Sequence, residues 1–401
     1  MSTLNSIKKN IVGIPNAFTW SGLVSGILVV FVSTTGPIAI LFQAAAAGQL
    51  SDSYTNSWLF AVFLGSGLFG IYLTLKYGIP IIGSWASTTT ALLVIGLAEH
   101  EYSEVIGAYF IASILLILVG VTGLFEKIMS LIPNSIIMAM LGGVLITFGL
   151  RIFTSTKVNP ILGLVMLLAY FLARAVKFKA PVLAAFVTGL IVTILQSNIQ
   201  KPEFSFGFTM PVWVNPSFSV GALFTLALPI FLTVMTTQNA PGIALLKAVG
   251  YQPPINQIVS VGGWLSFLGA GFGGAGVNIS AMTATIAISP DADPNPDTRY
   301  FSAIICGVAY SLAALFAGII SSLYKTFPIE LTAILAGVAL LPVIIGAIHE
   351  SISDPRFRDS AVVTFLITMS GVSGWGIGAP FWGILGGLAV HQISKVGKKP
   401  A

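Results

Sequence analysis

Two clusters of small polar residues stand out in an apolar chain. One is Ser84, Trp85, Ala86, Ser87 and Thr88, continued by Thr89 and Thr90; the other is Asn278, Ile279 and Ser280, continued by Thr283 and Thr285. Each follows a stretch that cannot begin a regular helix. In residues 78–83, Pro80 has no amide donor, and Gly78 and Gly83 favour turning or extended backbone. Before the second cluster, Gly271, Gly273, Gly274 and Gly276 lead into Val277, Asn278 and Ile279, which read as extended. Helix is predicted to start near Ser84 to Ser87 in the first case and at Ser280 in the second, where hydroxyls can cap free N–H groups. A helix N-terminus carries about half a positive charge, so two of them aimed at one cavity favour an anion, and a carboxylate suits such a site.

A third candidate is the run from Thr236 to Gly242, in which Gln238 and Asn239 sit deep in an apolar stretch just before Pro241 and Gly242. Amides are costly in hydrocarbon, and a helix broken at Pro-Gly leaves carbonyls that need donors. Either the two amides satisfy that backbone or they face a bound carboxylate or ring substituent; the second is the preferred reading. Thr34, Thr35 and Gln43 are weaker counterparts in the first apolar run. Trp85 could stack on an aromatic ring, and Met235 and Met282 could complete an apolar pocket. The plain alternative for the hydroxyl residues is capping and bonding between packed helices. Lys247, a turn or two beyond Asn239, is expected to snorkel to the membrane boundary.

Other motifs carry less. Gly271, Gly273 and Gly276 match GxGxxG but have no βαβ unit or acidic partner, so they do not indicate a dinucleotide. Asp291, Asp293 and Asp297 resemble a calcium loop, yet Pro290, Pro294 and Pro296 and the missing terminal Glu favour a simple turn. His100, His349 and His391 are far apart near the ends of apolar runs, and Cys306 is the single cysteine, so neither a metal site nor a catalytic triad is indicated. No nucleophile paired with a base occurs in any apolar run, so no enzyme is expected and no cofactor is implied.

These residues must be positioned inside a membrane. Of 401 residues 56% are hydrophobic and only 8% charged, far too few for a soluble surface. Apolar runs recur near 18–47, 53–76, 103–122, 132–151, 159–177, 181–197, 219–249, 254–272, 298–323, 328–349, 359–374 and 378–396. Each reads as long enough to cross a hydrocarbon core of about 30 Å as a helix, and the alternation of barrel strands is missing. With the irregular segments 78–98 and 273–290, the total is fourteen. The net charge of +5 comes from basic residues placed singly or in twos and threes at the ends of runs, a topology signal that excludes nucleic acid as partner.

Lys8, Lys9, Lys76, Arg174, Lys177, Lys179, Arg356, Arg358, Lys395, Lys398 and Lys399 fall on one side when fourteen spans are threaded. Both termini are then cytoplasmic, in a multi-pass protein of a bacterial inner membrane. The polar residues 1–16 read as a retained lead-in without a signal-peptide cleavage sequence. Glu99, Glu101 and Glu104 land outside as expected; Arg151 and Lys157 land there too, against the rule.

The chain also echoes itself. Thr34, Thr35 and Gly48 recur as Thr236, Thr237 and Gly250; Ser84, Ser87, Thr89 and Ala91 as Ser280, Thr283, Thr285 and Ala287; Gly123 and Pro133 as Gly318 and Pro328. Seven spans per copy is odd, so the second copy must enter from the opposite side, as in the inverted repeats of many secondary transporters. The repeats are 1–197 and 218–401, joined by the polar connection 198–217. The predicted fold class is an all-α polytopic membrane protein of two inverted seven-span repeats, whose third and tenth segments are half-helices preceded by short strands.

The segments ALPIFLTVMTTQNAPGIALLKAVGY (227–251), GIPIIGSWASTTTALL, VTGLFEKIMSLIP and DSAVVTFLITMSG resemble the benzoate/proton symporter family of bacterial membrane proteins over nearly the whole chain. That resemblance implies the seven-plus-seven fold of nucleobase/ascorbate and sulfate carriers. It implies a core domain (spans 1–4 and 8–11, about 18–122 and 219–323), a gate domain (spans 5–7 and 12–14, about 132–197 and 328–396), and substrate held between the third and tenth spans. It further implies symport of benzoate or a similar aromatic carboxylate with protons, the proton gradient supplying the energy, and allows a homodimer through the gate domains. The nucleobase relatives carry acidic residues on the eighth and tenth spans, where this chain has Gln238 and Asn239 and no carboxylate. Glu126, Glu330 and Glu350 lie only at the ends of runs, so either one of them is buried more deeply than it reads or the substrate's own carboxyl group carries the proton.

Overall fold

Most of the apolar runs become helices bounded by the punctuation the chain supplies. The computed structural model describes residues 3–125, 127, 133–178, 180–196, 207–280, 283–290, 292–372, 374–375 and 377–396. Met282, Glu126, Asp291, Lys179, Lys398 and Lys399, named above, lie outside the described residues. Helices α1 (Thr3–Ala17), α2 (Trp20–Ala47) and α3 (Asp52–Tyr77) lead to a three-residue strand, β1 (Gly83–Trp85), and then to α4 (Ser87–Glu99) and α5 (Tyr102–Thr122). Next come α6 (Asn134–Val158), α7 (Pro160–Ala175), α8 (Pro181–Leu195) and the long α9 (Val220–Ala248). After α10 (Ile255–Ala270) a second strand, β2 (Val277–Ile279), precedes α11 (Ala284–Ile288). The chain ends with α12 (Tyr300–Leu315), α13 (Ala317–Lys325), α14 (Ile329–Ser353), α15 (Arg358–Ser370) and α16 (Ala379–Val396).

Among the described residues, α2, α3, α5, α6, α9 and α14 are long and apolar enough to cross a membrane, and α12 with α13, bent by 71°, makes a seventh when the pair is counted as one span. Helices α4, α7 and α8 are apolar but shorter. Large side chains such as Phe31, Leu118, Leu164 and Phe171 are exposed, which a bilayer tolerates and water does not. The polar lead-in folds as helix α1, anchored where Asn10 donates to the Leu75 carbonyl at 2.7 Å.

Two groups of helices meet along α2. In the first, α3 packs on α12, α5 on α10, and α2 on α12, α4 and α11; in the second, α6 packs on α14 and α15, α7 on α8, and α15 on α16. The groups join where α2 touches α14 and α8. Gly36 makes this approach close, because a Cβ there would collide with the Ala339 Cβ on α14.

The expected span 298–323 is interrupted at Phe316 rather than continuous. The bend frees a carbonyl and an amide that hydrocarbon cannot satisfy. Thr209, from the connection between the halves, satisfies both: its N–H donates to the Leu315 carbonyl at 2.9 Å, and its hydroxyl accepts from the Gly318 N–H at 2.8 Å. The described part of that connection is thus packed structure, with Val214 and Ser217 also donating to the Gly271 and Ser103 carbonyls at 2.7 and 2.9 Å.

Candidate functional site

Strands β1 and β2 pair antiparallel in the buried interior, with Gly83 opposite Ile279, Ser84 opposite Asn278 and Trp85 opposite Val277. The ladder runs on at both ends, the Ala86 N–H donating to Gly276 at 3.1 Å and the Ser280 N–H to Ile82 at 2.8 Å. Gly83 lies so close to α3 that a Cβ would meet the Ser66 carbonyl, so glycine is required for the strand to reach this depth. From the end of β1 rises α4, capped by Ala86, with no side-chain acceptor for the N–H groups of its first turn. Ser84 is therefore a strand residue and Ser87 the first residue of the helix. The second helix starts later than expected: Ser280 is still bonded to the ladder, its hydroxyl 2.7 Å from that of Thr283, and α11 spans only Ala284–Ile288.

Pro241 does not break α9. The chain answers the missing N–H by widening the preceding turn into a π segment, Val234–Asn239, in which the Ala240 N–H reaches back to the Met235 carbonyl, five residues earlier. A second π segment, Leu223–Ala227, precedes Pro229 in the same way. The widened turn meets the demand of the backbone, and the Gln238 and Asn239 side chains make no hydrogen bond to the protein among the described residues. Asn239 is 2% exposed and its Oδ1 is buried without a partner.

A cavity of about 280 Å³ opens at this crossing. One wall presents Ser33, Ser84, Trp85, Ser87, Gln238 and Ser280, with Thr283 and Thr285 beside them. The other wall, from α8 and α14, is apolar: Pro181, Val182, Ala339, Pro342 and Val343. Among the described residues, no ionisable side chain lines the cavity. Around it the Trp85 indole N–H, the Thr89 hydroxyl and the Asn278 Oδ1 are buried without protein partners, each an unmet hydrogen-bonding group in a low-dielectric surround.

Of the residues singled out from sequence, Ser84, Trp85, Ser87, Gln238 and Ser280 line the cavity together. Thr88 stands behind them, its hydroxyl 3.2 Å from that of Thr237. Ala86, Asn278 and Ile279 are buried in the ladder, where Asn278 donates to the Gly276 carbonyl. Met235 is fully buried within α9 and does not reach the cavity. Thr35 lies apart, in an apolar cavity of about 420 Å³, its hydroxyl donating to the Phe31 carbonyl. Lys247 is exposed in the last turn of α9, and Asp293 accepts from the Asn295 N–H and the Thr298 hydroxyl, closing a turn.

Sequence reading missed Ser33 and Tyr310. Tyr310 is fully buried; its hydroxyl sits 2.5 Å from Ser33 Oγ, tying α12 to α2 beside the cavity. A tyrosine in an aromatic-rich span gives no warning of this. The apolar wall of α14 was equally silent, since Ala339 and Val343 look like any lipid-facing residue.

A family model described as benzoate membrane transport protein matches residues 16–393. The chain belongs to the benzoate membrane transport protein family. It is 37% identical over 371 residues to the inner membrane protein YdcO of Escherichia coli (strain K12), covering 92% of this chain and 95% of that one. It is 34% identical over 373 residues to a benzoate membrane transport protein of Acinetobacter baylyi (strain ATCC 33305 / BD413 / ADP1), covering 93% and 95%. Among solved structures, the transmembrane domain of a cyanobacterial bicarbonate transporter, BicA, superposes with a TM-score of 0.60 at 16% identity, covering 94% of this chain and 97% of that one. The inward-facing murine anion transporter Slc26a9 gives 0.61 at 15% identity, covering 96% and 70%. This family member is thus a multi-span membrane transport protein that shares the fold of those transporters.

Proposed function

We propose that the protein takes up benzoate or a similar aromatic carboxylate together with protons, by alternating access at the cavity between β1, β2 and α14. The observation that carries this reading is the cavity itself, which offers hydroxyls, an amide and the uncapped first turn of a 13-residue helix, α4, but no ionised side chain. A fixed carboxylate would repel an anion; donors and a helix N-terminus attract one. The carboxylate sits against Ser84, Ser87 and Gln238, and the ring against Trp85 and the apolar wall of α8 and α14. Because α11 has only five residues, its dipole adds little, and the anion preference rests mainly on α4. The name of the Acinetobacter relative supports the choice of substrate.

The same proposal includes fourteen segments in two inverted sets of seven, with cytoplasmic termini in a bacterial inner membrane. Repeat-related packing supports it: α3 on α12 mirrors α5 on α10, and α7 on α8 mirrors α15 on α16. In this arrangement the group containing β1 and β2 is the core and the group containing α14 is the gate. A small inorganic anion is the second reading, favoured by the names of the bicarbonate and anion transporters that share the fold. The deciding experiment is uptake of labelled benzoate into proteoliposomes with and without an imposed pH gradient, competed by salicylate, uracil, bicarbonate and sulfate. Gradient-driven accumulation blocked by salicylate is expected. No benzoate uptake, or benzoate uptake abolished by bicarbonate or sulfate, would sink the aromatic-acid assignment, and uptake that never exceeds equilibrium would indicate a channel.

A further inference from the structure

A second cavity, of about 500 Å³, opens where α2 ends, bounded by Arg151 of α6, Lys325 of α13 and the start of α14. We propose that it is an entry station for the substrate, in which Arg151 and Gln43 take the carboxylate and an aromatic wall takes the ring. This rests on the aromatic-acid reading above.

The donors are specific. Arg151 Nη1 donates to Gln43 Oε1 at 2.8 Å. A guanidinium has no acceptor, so this bond fixes the amide orientation and turns the Gln43 NH2 away from Arg151. That Nε2 is buried and unpartnered, although amide donors are rarely left so. A carboxylate beside Arg151 supplies the missing acceptor. No acidic side chain lines the cavity, and Lys325 is already engaged by Asp52, which leaves Arg151 as the uncompensated charge there among the described residues.

The ring has a matching surface. Phe42 stacks on Tyr324 at 4.7 Å, and Phe327 meets Tyr324 edge-on at 5.5 Å. Tyr324 is 7% exposed, and its hydroxyl is a further buried group without a partner. Tyr324 and Phe327 also line the apolar cavity that reaches Phe63, whose ring lies 6.3 Å from Trp85. Along α2, Gln43 is ten residues from Ser33, about 15 Å at the rise of an α-helix. The station is therefore one step removed from the transport site and joined to it by aromatic side chains. It also gives a reason for Arg151 to stand on the side where basic residues are disfavoured.

The test uses Arg151→Cys in the full chain, whose native Cys306 is buried, reconstituted in zwitterionic lipid so that no anionic headgroup competes. Uptake of labelled benzoate well below half-saturation should fall about tenfold, with the saturating rate little changed. A cationic, membrane-impermeant methanethiosulfonate should restore it and an anionic one depress it further. Benzoate, but not benzamide, should slow the modification, a readout independent of transport. Wild-type uptake by the variant, or equal effects of the two reagents, overturns the station while leaving the transport reading intact. Absence of uptake by the wild type sinks the transport reading instead, and protection by benzoate then still decides the station. If Arg151→Cys does not insert, Arg151→Gln should show the same tenfold loss and Arg151→Lys most of the wild-type rate; equal rates for the two refute the proposal.

Discussion

The hydroxyl of Thr88, in the first turn of α4, lies 3.2 Å from the hydroxyl of Thr237, in the widened turn of α9. The pair fixes the half-helix against the turn that carries Gln238, so the amide and the uncapped N–H groups reach the cavity as neighbours. Gln238→Ala removes a donor facing the cavity and is expected to raise KM for benzoate by about 5- to 150-fold, the equivalent of one to three kcal/mol. Asn239→Ala, behind the cavity, should also weaken uptake. Membrane insertion should be normal in both, and wild-type kinetics in both would show that the amides serve only packing.

Pro241→Ala restores an N–H and removes the reason for the π segment. The turn should relax to regular helix and rotate Gln238 by about one residue, roughly 100°. Uptake should be lost while thermal stability in detergent is unchanged or higher. A variant that is both unfolded and inactive would count against this account.

Gly36→Val should push α2 from α14 at a cost of about 1–3 kcal/mol. Transport should slow, and the double variant Gly36→Val with Ala339→Gly should recover part of it. Recovery measured as uptake rate, against no recovery with Ala336→Gly, would localise the effect to this contact.

Tyr310→Phe deletes the hydroxyl that holds Ser33, a cavity-lining residue, but keeps the ring. Loss of about 1 kcal/mol is expected, seen as a several-fold rise in KM with kcat and insertion preserved. An unchanged KM would show that Ser33 is held by other contacts.

Among the described residues no titratable group lines the cavity, so the pH dependence of uptake should belong to the ligand. Uptake should rise as external pH falls toward the substrate's own pKa, and the profile should move when ring substituents make the acid stronger or weaker. A profile that stays put across such a series would reveal a protein group as the proton carrier.

The irregular backbone before α4 and α11 could be read from sequence because Pro80, Gly78, Gly83 and the glycines before Val277 contrast sharply with an apolar background, although the start of α11 could not. The fate of Pro241 could not be read. Sequence gives the lost hydrogen bond, but whether the helix breaks or widens depends on packing around it. The break at Phe316 was hidden for a different reason: its polar groups are satisfied by Thr209, 109 residues from Gly318 in the chain. Where compensation is remote, the local sequence looks regular. The apolar wall of α14 lacked contrast altogether.

The pairing of β1 with β2 has a mechanical consequence. These few backbone hydrogen bonds lie where no water can replace them, so parting the strands would expose several unsatisfied groups, each costing several kcal/mol. The two halves of the chain are thereby riveted beside the cavity proposed as the binding site. In the proposed transport cycle, then, the grip need not be taken apart and rebuilt; the paired strands would be ferried whole past α14, with only the solvent they meet changing.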